Sequence, residues 1–434
     1  MTGQRDVVVL GGGLAGVACA RRLGDEGIGV TLVDRNDYHQ FQPLLYQVAT
    51  AQLPAEDIAR PHRVIFRDHP TVEVRTARVT ELDVAGLGLT LADGAKLSGS
   101  HLVIAAGAQP EFFGVPGAAE HAFPLYSVAD AVRLRRHVQD LVRAVADKEL
   151  GQDALDIVVV GGGPTGVEIT GALTELMAAL ASTDHIPHAG RIFLIDRGSA
   201  LLGAFSHRSH EYAHKRLTDH GAEPRLDTGV AAVHADRVEL DDGTAIPTRT
   251  VIWGGGESAA PVVQAAPGLE PGRGGRVDVL PDLTVKGHPD VYAIGDAANI
   301  PVRHGKTLPQ LGSVAQQSGE WAAANILRRR AGQPAKPFHY KDKGIMAMIG
   351  RNAAVAEVGK HRHQIDGPLA FAAWLGVHAM LLSGVHSKVD AFLSWAWDYF
   401  ERDHAATVEW SARPHRIVWS DDDADHPHIS LGRS

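Results

Sequence analysis

"VVVLGGGLAG", residues 7–16, decides the fold. A short β-branched run gives way to Gly11, Gly13 and Gly16 in GxGxxG spacing, and "VACARRLGDEG" then continues with helical periodicity. The stretch predicts a strand, a tight turn and a helix. Each glycine has its own reason: Gly11 makes the turn, Gly13 lets backbone approach a pyrophosphate, and Gly16 lets the helix pack on the strand. The helix N-terminus then turns free N–H groups and a positive dipole end toward the phosphates. The next apolar run, "IGVTLVD", ends in Asp34, eighteen residues beyond Gly16. That is close to the roughly 20-residue offset at which an acid binds a ribose hydroxyl.

The pattern recurs. "DIVVVGGGPTG", residues 156–166, carries Gly161, Gly163 and Gly166, and "RIFLID" places Asp196 at the end of the next plausible strand. Glycine-rich turns also occur in α/β domains that bind nothing, but two full units that both end in an acid argue against that reading. The chain is therefore expected to be α/β, with two Rossmann-like dinucleotide-binding domains. An acid at the ribose position favours NAD over NADP, whose extra phosphate would face a carboxylate. Arg197, directly after Asp196, weakens that preference without reversing it.

At 434 residues the chain is long enough for two or three domains, each with its own core. Lys and Arg number 42 against 51 Asp and Glu, a formal net charge of -9, so the basic footprint of a nucleic-acid binder is missing and no nucleic-acid partner is expected. Its 47 glycines cluster in runs, as they do where backbone closely approaches a ligand. The single cysteine, Cys19, can form no internal disulfide, and the first strand begins without a charged and apolar leader before it. An intracellular chain without a cleaved signal peptide is the expectation.

Two more segments, "LVIAAGAQP" at 102–110 and "DVYAIGDAAN" at 290–299, resemble the further flavin-contacting segments of the two-dinucleotide-domain flavoprotein superfamily. The resemblance implies FAD in the first cradle, with Gly107 and Gly295 at turns near the cofactor and Asp296 on its ribityl chain. Disulfide reductases of that superfamily carry a CxxxxC pair beside the flavin. Here the corresponding segment is "FQPLLYQVAT", residues 41–50, which has no thiol. It closely resembles the same segment of type II NADH dehydrogenases, the single-subunit, non-proton-pumping NADH:quinone oxidoreductases. The likeness continues through "GGGPTGVE", "VYAIGDAA", "KGIMAMIGRNAAV" and the aromatic-rich stretch from Trp374 to Phe400.

That resemblance implies NADH at the second cradle, a hydride passed to FAD, and two electrons passed directly to a quinone of menaquinone or ubiquinone type. Glu168 matches the family's glutamate that points toward the nicotinamide, although the dipole alone favours an acid in a helix's first turn. Gln47 and Thr50 are candidates for polar contacts at the flavin edge, while Phe41, Leu44 and Leu45 read as core. Ala315 and Gln316 match the segment that closes the quinone end of the flavin; the family's second Gln is replaced by Glu320. Glu320 either puts a charge beside the quinone or lies on a solvated helix face. "VIWGGGES", residues 251–258, is looser and more polar than the family's turn.

"GPLAFAAWLGVHAMLLSGV", residues 367–385, is apolar for almost all of its 19 residues, about the length of a membrane span. His378, Ser383 and the aromatic "HSKVDAFLSWAWDYF" that follows suit an interface better than a bilayer core. The resemblance points the same way: a membrane-associating helical region lying peripherally, as a monotopic element, on the cytoplasmic face. The same region forms homodimers in the family. "DDDADH", residues 421–426, reads as a solvated tail. His207, His210 and His214 share one helical face but read as polar surface, and no metal site is expected.

The expected organisation is an FAD domain from 1–125 and 268–334, an NAD(H) domain at 126–267, and a C-terminal region at 335–434. Two other functions stay open: a soluble NADH-dependent flavin oxidoreductase using oxygen or another small acceptor, and a flavin-holding protein that senses NADH without turnover.

Overall fold

Strands buried on both faces of a parallel sheet read as unbroken apolar runs rather than alternating ones. Val7–Leu10 and Ile157–Val160 are such runs, and each is the centre of its own sheet. The computed structural model describes residues 6–183, 186–302, 305–359 and 362–381. In the first sheet Val7–Leu10 lies between Val30–Asp34 and His101–Ile104, parallel to both. Val72–Thr76 extends one side, and His288–Ala293 with Thr284–Val285 the other. The second sheet repeats the plan: Ile157–Val160 lies between Ile192–Ile195 and Thr250–Trp253, flanked by Ala222–Arg225 and Ala122–Pro124. The first sheet thus draws strands from chain segments on both sides of the second.

Gly11 and Gly161 turn the chain with φ of +102° and +109°, a left-handed region that glycine enters without penalty. The helices Leu14–Asp25 and Pro164–Thr183 then leave their strands at the same close approach. A Cβ on Gly16 would collide with the Gly11 carbonyl oxygen, and one on Gly166 with that of Gly161. The first of these helices packs against Gly312–Arg330 so tightly that a Cβ on Gly319 would strike the Ala15 carbonyl. Ser318, on that long helix, accepts the Gly295 N–H at 3.1 Å and so ties the "AIGDAA" turn to it.

The C-terminal region differs from the helical expectation. Ile345–Gly350, Ala353–Val358 and His363–Asp366 form an antiparallel sheet before the helix Gly367–Leu381 begins. Asn352, at φ +58°, makes the hairpin turn between the first two strands. A short apolar run such as "GIMAMIG" cannot be assigned to strand or helix by periodicity alone. This sheet lies on Pro164–Thr183, where a Cβ on Gly171 would strike the Ile349 carbonyl. Glu357 adds a second attachment, accepting the Ser206 N–H at 2.6 Å and the Ser209 hydroxyl at 2.7 Å.

Gly367–Leu381 buries one face and bares another. Trp374 has no exposure, and its ring stacks on His378 at 3.9 Å between centroids. Tyr46 meets Trp374, and Phe41 meets His378, each edge-on at 6.2 Å. Leu369 and Met380 are 75% and 76% exposed. Among the described residues no helix is long and apolar enough to cross a membrane. Residues 382–385, the aromatic stretch after them and the acidic 421–426 lie outside the described residues.

The Nδ1 of His378 faces the Trp374 carbonyl at 2.8 Å, a pairing that requires the proton on Nδ1. Burial pushes its pKa down to about 4. Above about pH 6.5 neither folded nor unfolded chain protonates it; below, the unfolded chain takes up a proton that the folded imidazole refuses until about pH 4. Stability should therefore fall by up to about 3 kcal/mol over that window. Urea midpoints measured across it should show this slope, and His378→Phe should flatten it.

Candidate functional site

A dinucleotide site needs backbone that can come close to phosphate, an acid for the ribose, and depth for the reactive ring. The first cradle opens on a cavity of about 590 Å³, within the range of roughly 300–1,000 Å³ common for ligand sites. Gly11, Gly13, Asp34, Gly107, Gly295, Asp296 and Ala315 all line it, as do Tyr38, Arg78, Gln42 and Tyr126, which the motifs did not single out. Gly16 sits beneath the cavity as the packing glycine rather than in its wall. A Cβ on Gly13 would point into open space, so the room there belongs to a ligand rather than to packing. Tyr126 is set by its hydroxyl, which accepts the Ala108 N–H at 3.1 Å.

The second cradle has the same construction. A Cβ on Gly163 would also meet nothing, whereas Gly161 and Gly166 are held against neighbouring backbone. Asp34 accepts the Gly12 N–H at 2.5 Å and the Asn36 N–H at 2.7 Å. Asp196 does the same with the N–H groups of Gly162 and Gly198, at 2.5 and 2.6 Å. A carboxylate has about four acceptor positions, so each acid can brace its own glycine turn and still receive a ribose hydroxyl. Arg197 lies over Gly229 beside Asp241.

Burial pushes the Asp296 carboxyl up to about 6, with Arg276 pulling it back. Glu257 contributes a second acid from the polar "GGGES" turn. Much of that residue is exposed, but its carboxyl is enclosed, and burial together with the charge of Asp296 pushes it up to about 7. Both groups raise the pKa of Tyr126, which lines the cavity.

The quinone-end segment has a simpler outcome. Ala315 faces the cavity; Gln316 donates its side-chain amide to Glu320 at 3.2 Å, and Glu320 is exposed. The replacing acid is thus the i,i+4 partner of Gln316 on an accessible helix face.

Gln47 and Thr50 are 2% and 0% exposed and do not line the first cavity. The Thr50 hydroxyl donates to the Tyr46 carbonyl at 2.8 Å, and the Gln47 amide donates to the Tyr46 hydroxyl at 3.3 Å. Tyr46, which the sequence reading passed over, is the centre of this group. Glu168 is close enough to the same residue to raise its pKa. Its carboxyl is enclosed and accepts the Met348 N–H at 3.1 Å. Burial pushes it up to about 8, against the pull of the Met348 N–H. Cys19 is wholly buried, its thiol pushed up to about 12 by that burial, so it can relay nothing.

Residues 5–319 match the pyridine nucleotide-disulphide oxidoreductase family. The chain is 34% identical over 421 residues to the type II NADH:quinone oxidoreductase NdhA of Mycobacterium tuberculosis, covering 92% of this chain and 88% of that protein. It is 30% identical over 372 residues to the type II NADH:quinone oxidoreductase of Staphylococcus epidermidis, covering 82% and 90%. Its fold superposes on NDH2 of Plasmodium falciparum in complex with NADH with a TM-score of 0.85 at 17% identity, covering 92% and 99%. These relations define a pyridine-nucleotide flavoprotein of the two-cradle class. Within that class the chain belongs to the type II NADH:quinone oxidoreductase family.

The two open glycines separate the two cradles experimentally. Gly13→Val should yield folded protein, judged by circular dichroism, that has lost its yellow flavin. Gly163→Val should keep the flavin and raise the KM for NADH at least about tenfold, the cost of about 1.4 kcal/mol of lost binding.

Proposed function

We propose that this chain is an FAD-dependent NADH:quinone oxidoreductase: it accepts a hydride from NADH and delivers two electrons to a membrane quinone of menaquinone or ubiquinone type, without proton pumping. One observation carries the reading. Two phosphate cradles, each with a glycine left open and a ribose acid braced behind it, occur in a chain whose single thiol is buried out of reach. Bound FAD would supply the redox chemistry, taking up a hydride and giving up electrons to a second substrate.

The chain's own residues orient and insulate. Gly13 and Gly163 leave room for pyrophosphate at two helix N-termini, Asp34 and Asp196 take the riboses, and Asp296 takes the ribityl chain. Glu168 faces the nicotinamide side, supported by its place on the first turns of the second cradle's helix. Gln47 and Thr50 stiffen the segment at the flavin edge through Tyr46, and Ala315 and Gln316 bound the quinone end. The division into 1–125 with 268–334, 126–267 and 335–434 belongs to the same reading, supported by the way the two sheets share out the strands except at Ala122–Pro124, which pairs in the second sheet.

The exposed apolar face of Gly367–Leu381, with Leu369 and Met380 outermost, supports peripheral attachment to lipid, and the family resemblance is what suggests the cytoplasmic face and a homodimer. The runner-up, a soluble NADH-dependent flavin oxidoreductase reducing oxygen, draws on Glu257 alone, since Glu320 is paired and exposed.

Purified holoenzyme should reduce menadione rapidly with NADH and oxygen slowly. Leu369→Glu with Met380→Glu should abolish co-sedimentation with phospholipid vesicles and lower the rate with a long-tailed quinone, leaving the menadione rate intact. Oxygen reduction as fast as quinone reduction, with no effect of lipid, would install the runner-up.

A further inference from the structure

We propose that the Tyr126 hydroxyl, held beside Gly107 by the Ala108 N–H, is a hydrogen-bond donor to the polar edge of the bound flavin ring. The inference deepens the preceding section and rests on its placing of FAD in the first cavity, with the ribityl chain at Asp296.

Tyr126 is half-buried and lines that cavity together with Gln42, Gly107, Gly295, Asp296 and Ala315. Its hydroxyl accepts the Ala108 N–H at 3.1 Å. It also stands against the turn before Ala108: a Cβ on Gly107, where φ is +70°, would lie 3.3 Å from the hydroxyl oxygen. The backbone is fixed as well. The Gln40 side-chain amide donates to the Tyr126 carbonyl at 2.9 Å, and the Val128 N–H donates back to Gln40 at 3.2 Å. Ser127, the next residue, caps the helix Val128–Ala146 through a reciprocal pair of bonds with Asp130. The phenol is therefore a rigid group at the wall of the cavity.

A phenol oxygen can accept hydrogen bonds and has one proton to donate. Ala108 donates to the oxygen, and Gln42 lowers the hydroxyl's pKa, which is the effect of a donor rather than an acceptor. Among the described residues no hydrogen bond takes up the hydroxyl's own proton, which leaves it for the occupant of the cavity. Burial, with the charges of Glu257 and Asp296, pushes the hydroxyl up to about 12. Tyr126 accordingly keeps its proton and donates it without giving it up.

The carbonyls and nitrogens along the polar edge of a flavin are acceptors, and they carry more negative charge once the ring has taken up electrons. Hydrogen bonds to charged acceptors are about twice as strong as those to neutral ones. A donor fixed at that edge therefore holds the reduced ring more firmly than the oxidised one and makes the flavin a better acceptor.

The test titrates full-length holoenzyme carrying Tyr126→Phe against a reference dye. Loss of the donor should move the flavin equilibrium at least about tenfold toward the oxidised form, a potential lower by about 30 mV for a two-electron couple. Tyr126→3-fluorotyrosine makes the phenol a stronger donor and a weaker acceptor, and should move the potential upward. A hydroxyl that serves only to accept the Ala108 N–H would be weakened by fluorination as by deletion, so shifts in the same direction overturn the proposal. An unchanged potential in Tyr126→Phe overturns it too. If Tyr126→Phe fails to hold flavin, the fluorotyrosine protein decides alone, and a potential at or below that of wild type overturns the proposal. Wild-type protein purified without flavin removes the reading beneath and this inference with it; flavin that is bound, bleached by NADH and unshifted in both variants removes this inference alone.

Discussion

Everything in this molecule depends on how closely a helix can approach the strand that feeds it. At Gly16 and Gly166 the following helix presses on a carbonyl oxygen of the turn, leaving no volume for a Cβ. That contact sets the direction in which the helix N-terminus points, and a positive helix end aimed along the turn is what makes a phosphate site from ordinary backbone. The open glycine three residues earlier serves the opposite purpose. Space is removed where the protein meets itself and kept where it meets a ligand. The acid at the end of the next strand completes the arrangement by bonding back to the middle glycine of the turn, so the ribose group and the phosphate loop are fixed to one another.

Around this rigid pair the chemistry is tuned by burial. Asp296, Glu257 and Glu168 are all carboxyls whose surroundings disfavour charge, and each is set differently: Arg276 pulls the first back, the charge of Asp296 adds to the burial of the second, and the Met348 N–H moderates the third. Protein groups held near neutrality at working pH are suited to accompany a transfer in which protons and electrons reach the acceptor together. The buried thiol of Cys19 is a packing atom and takes no part in this.

Both cradles were legible in the sequence because their chemistry is local: glycine spacing, a β-branched run and an acid at a set offset are complete within about 35 residues. The cavity's other walls were partly legible. Gly107, Gly295, Asp296 and Ala315 came from segments with recognisable turns, whereas Tyr38, Arg78 and Tyr126 carry no spacing signal. The grouping of Tyr46, Trp374 and Glu168 was invisible for a stronger reason. Met348 and Glu168 are 180 residues apart in the chain, and nothing in a periodicity connects them. The strands at 345–366 were missed because apolar runs of that length are ambiguous between helix and sheet. The two readings of Glu320 were separable only by seeing which way Gln316 turned.

The plan of the first sheet has a consequence for how the protein is made. Its central strands lie at residues 7–34 and 101–104, but His288–Ala293 joins beside His101–Ile104 only after the whole second sheet has left the ribosome. At roughly 5–20 residues per second, the amino-terminal part waits on the order of ten seconds or more with an unpaired strand edge. The second sheet, contiguous from Ala122 to Trp253, has no such delay and can close first. Biosynthesis therefore runs from the inside of the chain outward, with the unit made first being completed after the one inserted into it.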